Sequence, residues 1–178
     1  MSKLYKEYAK TYKLAPEKLD GFYDVVGELL QTEEILSMQQ YEQHLEIDRL
    51  QHIIGVAYLS YKICKKFGMD YKSAARAGIL HDLVYYDWRD GETGGWHRLH
   101  GYKHPRLAWM NAKELCPDLN EIEADAIKKH MWPLTLGLPK HKEGYVIIFA
   151  DKYCATREVL FSTNKKYKNK FLNDVKGI

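Results

Sequence analysis

Four histidines and two aspartates (His52, His81, Asp82, His104, His130 and Asp151) stand where a purely structural helix would carry aliphatic side chains. A carboxylate buried among apolar neighbours is costly unless it is paired or bound to a cation. Imidazole and carboxylate without thiolate suit iron, manganese, cobalt or nickel at least as well as zinc. Each residue has an ordinary alternative when taken singly. A lone histidine on an apolar stripe is more often a hydrogen-bonded core residue, and a lone buried aspartate more often caps a helix or pairs with an arginine. The same oddity repeated in five separate helices is harder to ascribe to packing.

The elements that must position these residues follow from helical periodicity and punctuation. Asp48 caps a helix that runs to Phe67 and stops at Gly68, with Lys62, Lys65 and Lys66 suitably placed in its last turns. His52 lies on its apolar face with Gly55, Val56, Leu59 and Ile63. Asp70 caps the next helix, through Leu80, and His81 shares a face with Ala74, Ala77 and Gly78, small enough for a neighbouring helix to approach closely. Pro105 suits the first position of a helix ending before Pro117, so His104 stands at its start, over Leu107, Ala108, Asn111, Ala112 and Leu115. Asp118 opens a helix reaching about Met131 and stopped by Pro133, with His130 beside Leu119, Ile122, Ala126 and Ile127. A last helix spans about Gly144 to Phe161, with Asp151 among Ile147, Ile148, Cys154 and Ala155.

Residues up to Tyr41 read as two or three short amphipathic helices broken at Pro16 and Gly21, and strand-like alternation is almost absent. The pattern predicts an all-α, single-domain helical bundle: an N-terminal helical extension packed on the core (1–44), the core (45–162) and a basic tail (163–178). Its one conspicuous loop runs from about Asp87 to Lys103.

At 178 residues and 46% apolar content the chain can bury a sizeable core. The net charge is +3, and the tail from Thr163 to Ile178 carries +4 of its own, leaving the rest near −1. That balance argues against nucleic acid as a partner. Cys64, Cys116 and Cys154 are scattered, with neither a disulfide framework nor a zinc ribbon. No run approaches the roughly 18 apolar residues of a membrane span, and Met1 to Thr11 lacks a signal-peptide core. The expectation is a cytoplasmic protein.

The ordered set His52, then the adjacent pair His81-Asp82, then Asp151 resembles the H…HD…D signature of the HD-domain superfamily. The interposed His104 and His130 resemble the further ligands of its binuclear branch. The strings HDLVYYDW, HGYKHP and ADKYCA are similar to those of small bacterial HD proteins described as phosphohydrolases. The resemblance covers roughly residues 45 to 160. It implies that His52, His81, Asp82 and Asp151 hold a first divalent transition metal (Fe, Mn, Co, Ni or Zn). Asp82 would share a second with His104 and His130 through its other oxygen.

Two such cations would lower the pKa of a bridging water, making it a nucleophile near neutral pH, and would clamp phosphoryl oxygens. The expected activity is therefore hydrolysis of a phosphoester or phosphoanhydride in a small nucleotide-like substrate. Phosphoryl chemistry calls for nearby cations. Arg49, one turn before His52, ranks first as a phosphate contact and Lys103 second. Arg106, Lys128, Lys129 and Lys152 are further candidates. Trp96, in the glycine-bearing loop Asp90–Gly101, is a candidate to stack on a base under a lid. Asp82, Arg49 and Lys103 are the expected catalytic residues. Arg49, Lys103, Arg106 and Trp96 are the expected substrate contacts. His100, four residues before His104, is an alternative ligand, but His104 is preferred because Pro105 fixes the helix start after it. The same ligand set also resembles that of diiron HD oxygenases, and a catalytically silent metal- or nucleotide-binding module is a third reading.

Overall fold

The computed structural model describes residues 20–44, 47–86 and 100–163. It is a helical bundle, as the periodicity predicts, with one minimal hairpin that the periodicity does not. The N-terminal part comprises α1 (Asp20–Val26), a 3₁₀ turn (Leu29–Gln31), α2 (Glu33–Leu36) and a second 3₁₀ turn (Ser37–Gln40). Gly21 lies inside α1 instead of breaking it. Next come antiparallel β1 (Glu42–His44) and β2 (Ile47–Asp48), with Glu42 opposite Asp48. Strands of three and two residues are too short to register as alternation in the sequence.

Helix α3 (Arg49–Lys66) is the axis of the fold. Its N-cap is Asp48, whose carboxylate accepts from the Gln51 amide at 2.8 Å. At its other end Gly68 takes a left-handed φ of 64°, and the Met69 amide bonds back to the Cys64 carbonyl at 2.9 Å, the pattern that satisfies last-turn carbonyls. The periodicity points to one stripe through Gly55, Val56, Leu59 and Ile63. The structure buries far more, including Ile53, Ala57, Tyr58, Tyr61 and Cys64, because neighbours pack on several sides of α3. Phe22 of α1 meets Tyr58 and Tyr61 edge-on, at 5.4 and 5.5 Å between ring centres, so the N-terminal turns share the same core.

Helix α4 (Tyr71–Leu80) is capped by Asp70, which accepts from the Ser73 amide at 3.0 Å. It crosses α3 at Gly78, where a Cβ would stand 2.4 Å from the Ala57 Cα. Gly78→Ala must therefore push two backbones apart, at a cost of about 1–3 kcal/mol. In a chain of this size that lowers the melting temperature by roughly 2–12 °C. An unchanged melt would show that this crossing does not govern the α3–α4 distance.

Helix α5 (His100–Leu115) corrects the expected start at Pro105, which lies inside it. Proline forfeits one bond to the preceding turn. The helix continues nonetheless, because its buried face recurs at His104, Ala108 and Ala112. Helix α6 (Glu121–Lys129) opens not at Asp118 but on a capping box between Asn120 and Glu123. Asp118 instead pairs with Arg76 at 3.0 Å. Helix α7 (Lys142–Thr163) closes the bundle against α3 and α6. No helix among the described residues is long and apolar enough to cross a membrane.

Candidate metal centre

Two of the six candidate ligands sit where a helix ends. His81 and His130 are the C-cap residues of α4 and α6. The last carbonyls of a helix have no partner within it, and each histidine supplies one by folding back. His81 Nδ1 donates to the Gly78 carbonyl and His130 Nδ1 to the Ile127 carbonyl, both at 2.8 Å. A carbonyl only accepts, so each neutral ring carries its hydrogen on Nδ1 and presents the bare Nε2 as a ligand atom.

His52, one turn into α3, is held the same way by a side chain. Its Nδ1 lies 3.0 Å from the Glu158 carboxylate of α7, and its Nε2 faces Asp151 Oδ1 at 3.2 Å. Glu158 is a residue that sequence reasoning missed. The signal was present, since Glu158 follows Asp151 by seven residues, two turns along the same helix face. Carboxylates that orient a metal-binding imidazole in this manner raise its basicity as a ligand.

The rings form a continuous arc, with centres 5.6 Å apart from His52 to His81, 5.0 Å from His81 to His130 and 5.3 Å from His130 to His104. Asp82 completes it, its Oδ1 2.6 Å from His104 Nε2. Asp151 Oδ1 also lies 3.9 Å from His81 Nε2. The structure thus brings together all six residues singled out in the sequence. Two overlapping triads have ligand atoms close enough to hold a cation: His52, His81 and Asp82, and Asp82, His104 and His130. All five of these side chains are buried. His104 takes its place although the stated reason for preferring it fails, because the helix starts at His100 and not after His104.

The electrostatics of Asp82, Asp151, His81 and His130 match a site built for cations. Burial would raise the Asp82 carboxyl, but the His104 and His81 imidazoles and Arg49 outweigh it and hold the group well below the usual carboxylate range. Burial opposes Asp151 too, yet His52 and His81 keep it ionised. Burial lowers His81. Burial, with His81 and His104 alongside, brings His130 down to about 3. Burial would also lower His52, but Glu158 and Asp151 raise it well above the ordinary value.

These shifts set an acid limb and an alkaline limb for the metal-free protein. Between pH 6.5 and about 3 the unfolded chain protonates His130 and the folded one does not. Stability therefore falls with falling pH in that window, by about 1.4 kcal/mol per unit from this residue. His81 adds in the same sense. Asp82 and Asp151 join only below the unfolded carboxylate range near 3.8. The stabilisation from the raised His52 is complete below 6.5 and is lost as pH rises through its folded value. Urea midpoints of metal-free protein should thus peak near pH 6.5; a flat profile from pH 4 to 6.5 would refute the neutral assignment of His130.

A cavity of about 280 Å³ opens onto the site, walled by His81, Asp82, His104, His130 and Asp151 with Gln43, Arg49, Val84, Tyr86 and Met131. Arg49 is buried at 1% exposure. Its Nη1 donates to the Val84 carbonyl at 2.6 Å, its Nη2 to Tyr86 O at 3.2 Å, and its Nε to Gln43 Oε1 at 3.1 Å. It also lies 3.5 Å from Asp82 Oδ2. Two of these three hydrogen bonds therefore hold the turn that follows Asp82. Tyr86 Oη stands 3.4 Å from His104 Nδ1, on the far side of that ring from Asp82.

The other cations of the sequence reading lie elsewhere. Lys103 and Arg106 are exposed and do not line the cavity. Lys128 rests on the Trp109 ring at 3.7 Å, Lys129 pairs with Asp125 at 2.7 Å, and Lys152 donates to the Trp132 carbonyl at 2.7 Å. Trp96, most of the expected lid and the tail after Thr163 fall outside the described residues.

A helical bundle that gathers four histidines and two aspartates from five helices around a shared aspartate defines a domain fit to hold divalent metal. The model of the HD domain matches residues 49–156, and the chain belongs to that family, whose members are largely metal-dependent hydrolases. Neither the curated proteins nor the solved structures gave a match.

Proposed function

We propose that the protein is a metal-dependent phosphohydrolase that cleaves a phosphoester or phosphoanhydride bond in a small nucleotide-like substrate, with two divalent transition-metal ions at its centre. One observation carries the reading: two ligand triads overlap at a single aspartate that has two oxygens to offer. His52, His81, Asp82 and Asp151 would hold the first ion, and Asp82, His104 and His130 the second. A bound pair of such ions supplies an activated water near neutral pH and neutralises charge on phosphoryl oxygens.

The chain's own contribution is orientation and exclusion of bulk water. His81 and His130 are locked by helix-end carbonyls and His52 by Glu158, so the ligand atoms converge without rearrangement. Preorganisation of this kind spares the reaction the cost of aligning dipoles. The cavity volume is at the lower end of small-molecule sites, which suits a phosphoryl group with a modest substituent. Among the described residues, Arg49 is the cationic side chain that lines the cavity, with guanidinium N–H groups beyond the three bonds named above. Lys103, Arg106 and Trp96 remain candidates to contact the substrate's outer parts.

Metal analysis of purified protein, followed by a screen of phosphomonoesters, diesters and dinucleotides with manganese, iron, cobalt and nickel, tests the reading. Turnover should require the metal. Oxygen uptake by iron-loaded protein without phosphate release would replace it with the oxygenase alternative. Metal binding without any turnover would leave a silent binding module.

A further inference from the structure

Asp82 is held from two sides. Its Oδ1 faces His104, while its Oδ2 accepts from Gln43 Nε2 at 2.9 Å. A glutamine amide has two different ends, and its other partner dictates which end meets Asp82. Arg49 Nε can only donate, and it lies 3.1 Å from the far end, so that end is the carbonyl oxygen and the NH₂ must face the carboxylate. Arg49 is itself pinned, by the Val84 and Tyr86 carbonyls and by the Tyr41 ring 4.9 Å beneath its guanidinium. Donation therefore runs outward from Arg49, to the carbonyls of the turn after Asp82 on one side and through Gln43 to Asp82 Oδ2 on the other. Gln43 also lines the cavity. It sits in β1, outside residues 49–156 that match the family.

We propose that Gln43 is a positioning residue of the metal centre, whose amide fixes the plane of the Asp82 carboxylate so that the carboxylate can serve both ligand triads. The inference rests on reading the two triads as a metal site. Groups that orient a ligand from behind typically change metal affinity 10–100-fold when removed. The competing explanation is that Gln43 merely props Arg49, a structural role that needs only its carbonyl oxygen.

Gln43→Glu separates the two, since it keeps the acceptor for Arg49 but has no donor for Asp82 and sets carboxylate against carboxylate. Gln43→Met, similar in volume, removes both bonds. Calorimetric titration of Mn²⁺ into the full chain, with melting curves of the metal-free proteins alongside, reads the difference. The expected result is Mn²⁺ binding weakened about 10–100-fold in both variants, with the metal-free Glu variant still folded. Wild-type affinity in Gln43→Glu would overturn the proposal, and so would wild-type affinity in Gln43→Met should the Glu variant fail to fold. If the wild type takes one Mn²⁺ per chain, the two-ion reading fails, while the ratio of wild-type to variant affinity still decides the role of Gln43. No Mn²⁺ binding by the wild type overturns both.

Discussion

Asp82→Ala is expected to abolish turnover and to strip metal from both triads at once, because it is the side chain they share. The loss should exceed the 10–100-fold that follows removal of an outer partner, since on the proposed function a direct ligand of both ions goes. His104→Ala provides the contrast: it should empty mainly the second position and leave the triad of His52, His81 and Asp82 loaded. Metal content per chain, read beside a melting curve, checks both. Asp82→Asn guards against a folding artefact, because it retains the volume and an acceptor for Gln43 while removing the charge that His104 and Arg49 face. Asp82→Ala protein with full metal content and full rate would end the shared-ligand assignment.

Arg49→Met is expected to be the most destabilising substitution of a cation in this chain. It strands the carbonyls of buried Val84 and half-buried Tyr86 and removes the guanidinium that lies 3.5 Å from buried Asp82. Removing one partner of a buried charged network typically costs about 3–5 kcal/mol. For a chain of this length that is a fall in melting temperature of roughly 6–20 °C. Arg106→Ala, on the exposed side of α5, should stay within about 0.5 kcal/mol. Chemical denaturation of the three proteins at pH 7 measures the difference. If Arg49→Met melted with the wild type, Arg49 would not be the brace of the turn after Asp82, and a role confined to substrate would be the better account.

Several features of the centre were open to sequence reading because they are local. A histidine or aspartate on an apolar helical stripe is visible in a few residues, and six of them in order pointed to the cluster that the fold brings together. Helix caps are equally local, as Asp48 and Asp70 show by accepting from the amides three residues on. Where local signals compete, the reading slipped. Asp118 and Asn120 are both plausible caps, and Asn120 holds the position because Glu123 completes a capping box with it while Arg76 engages Asp118. Pro105 looked like a helix start because proline suits the first helical position, but its penalty inside a helix falls on one bond only, which the packing of Ala108 and Ala112 outweighs.

What the sequence alone determined, then, was the helical architecture, the residues of the centre and the small-residue crossing at Gly78, since each depends on periodicity within one element. Only the tertiary structure decided how the surrounding charges are used. Lys128, Lys129 and Lys152 are drawn off to Trp109, Asp125 and the Trp132 carbonyl, and Arg49 is turned inward as a brace. It likewise brought Gln43 from a short hairpin and Glu158 from the last helix to the backs of Asp82 and His52. A long polar side chain reaches several ångströms in any direction its rotamers allow. Its partner is therefore fixed by which elements the core packs beside it, a property that spacing along the chain does not encode.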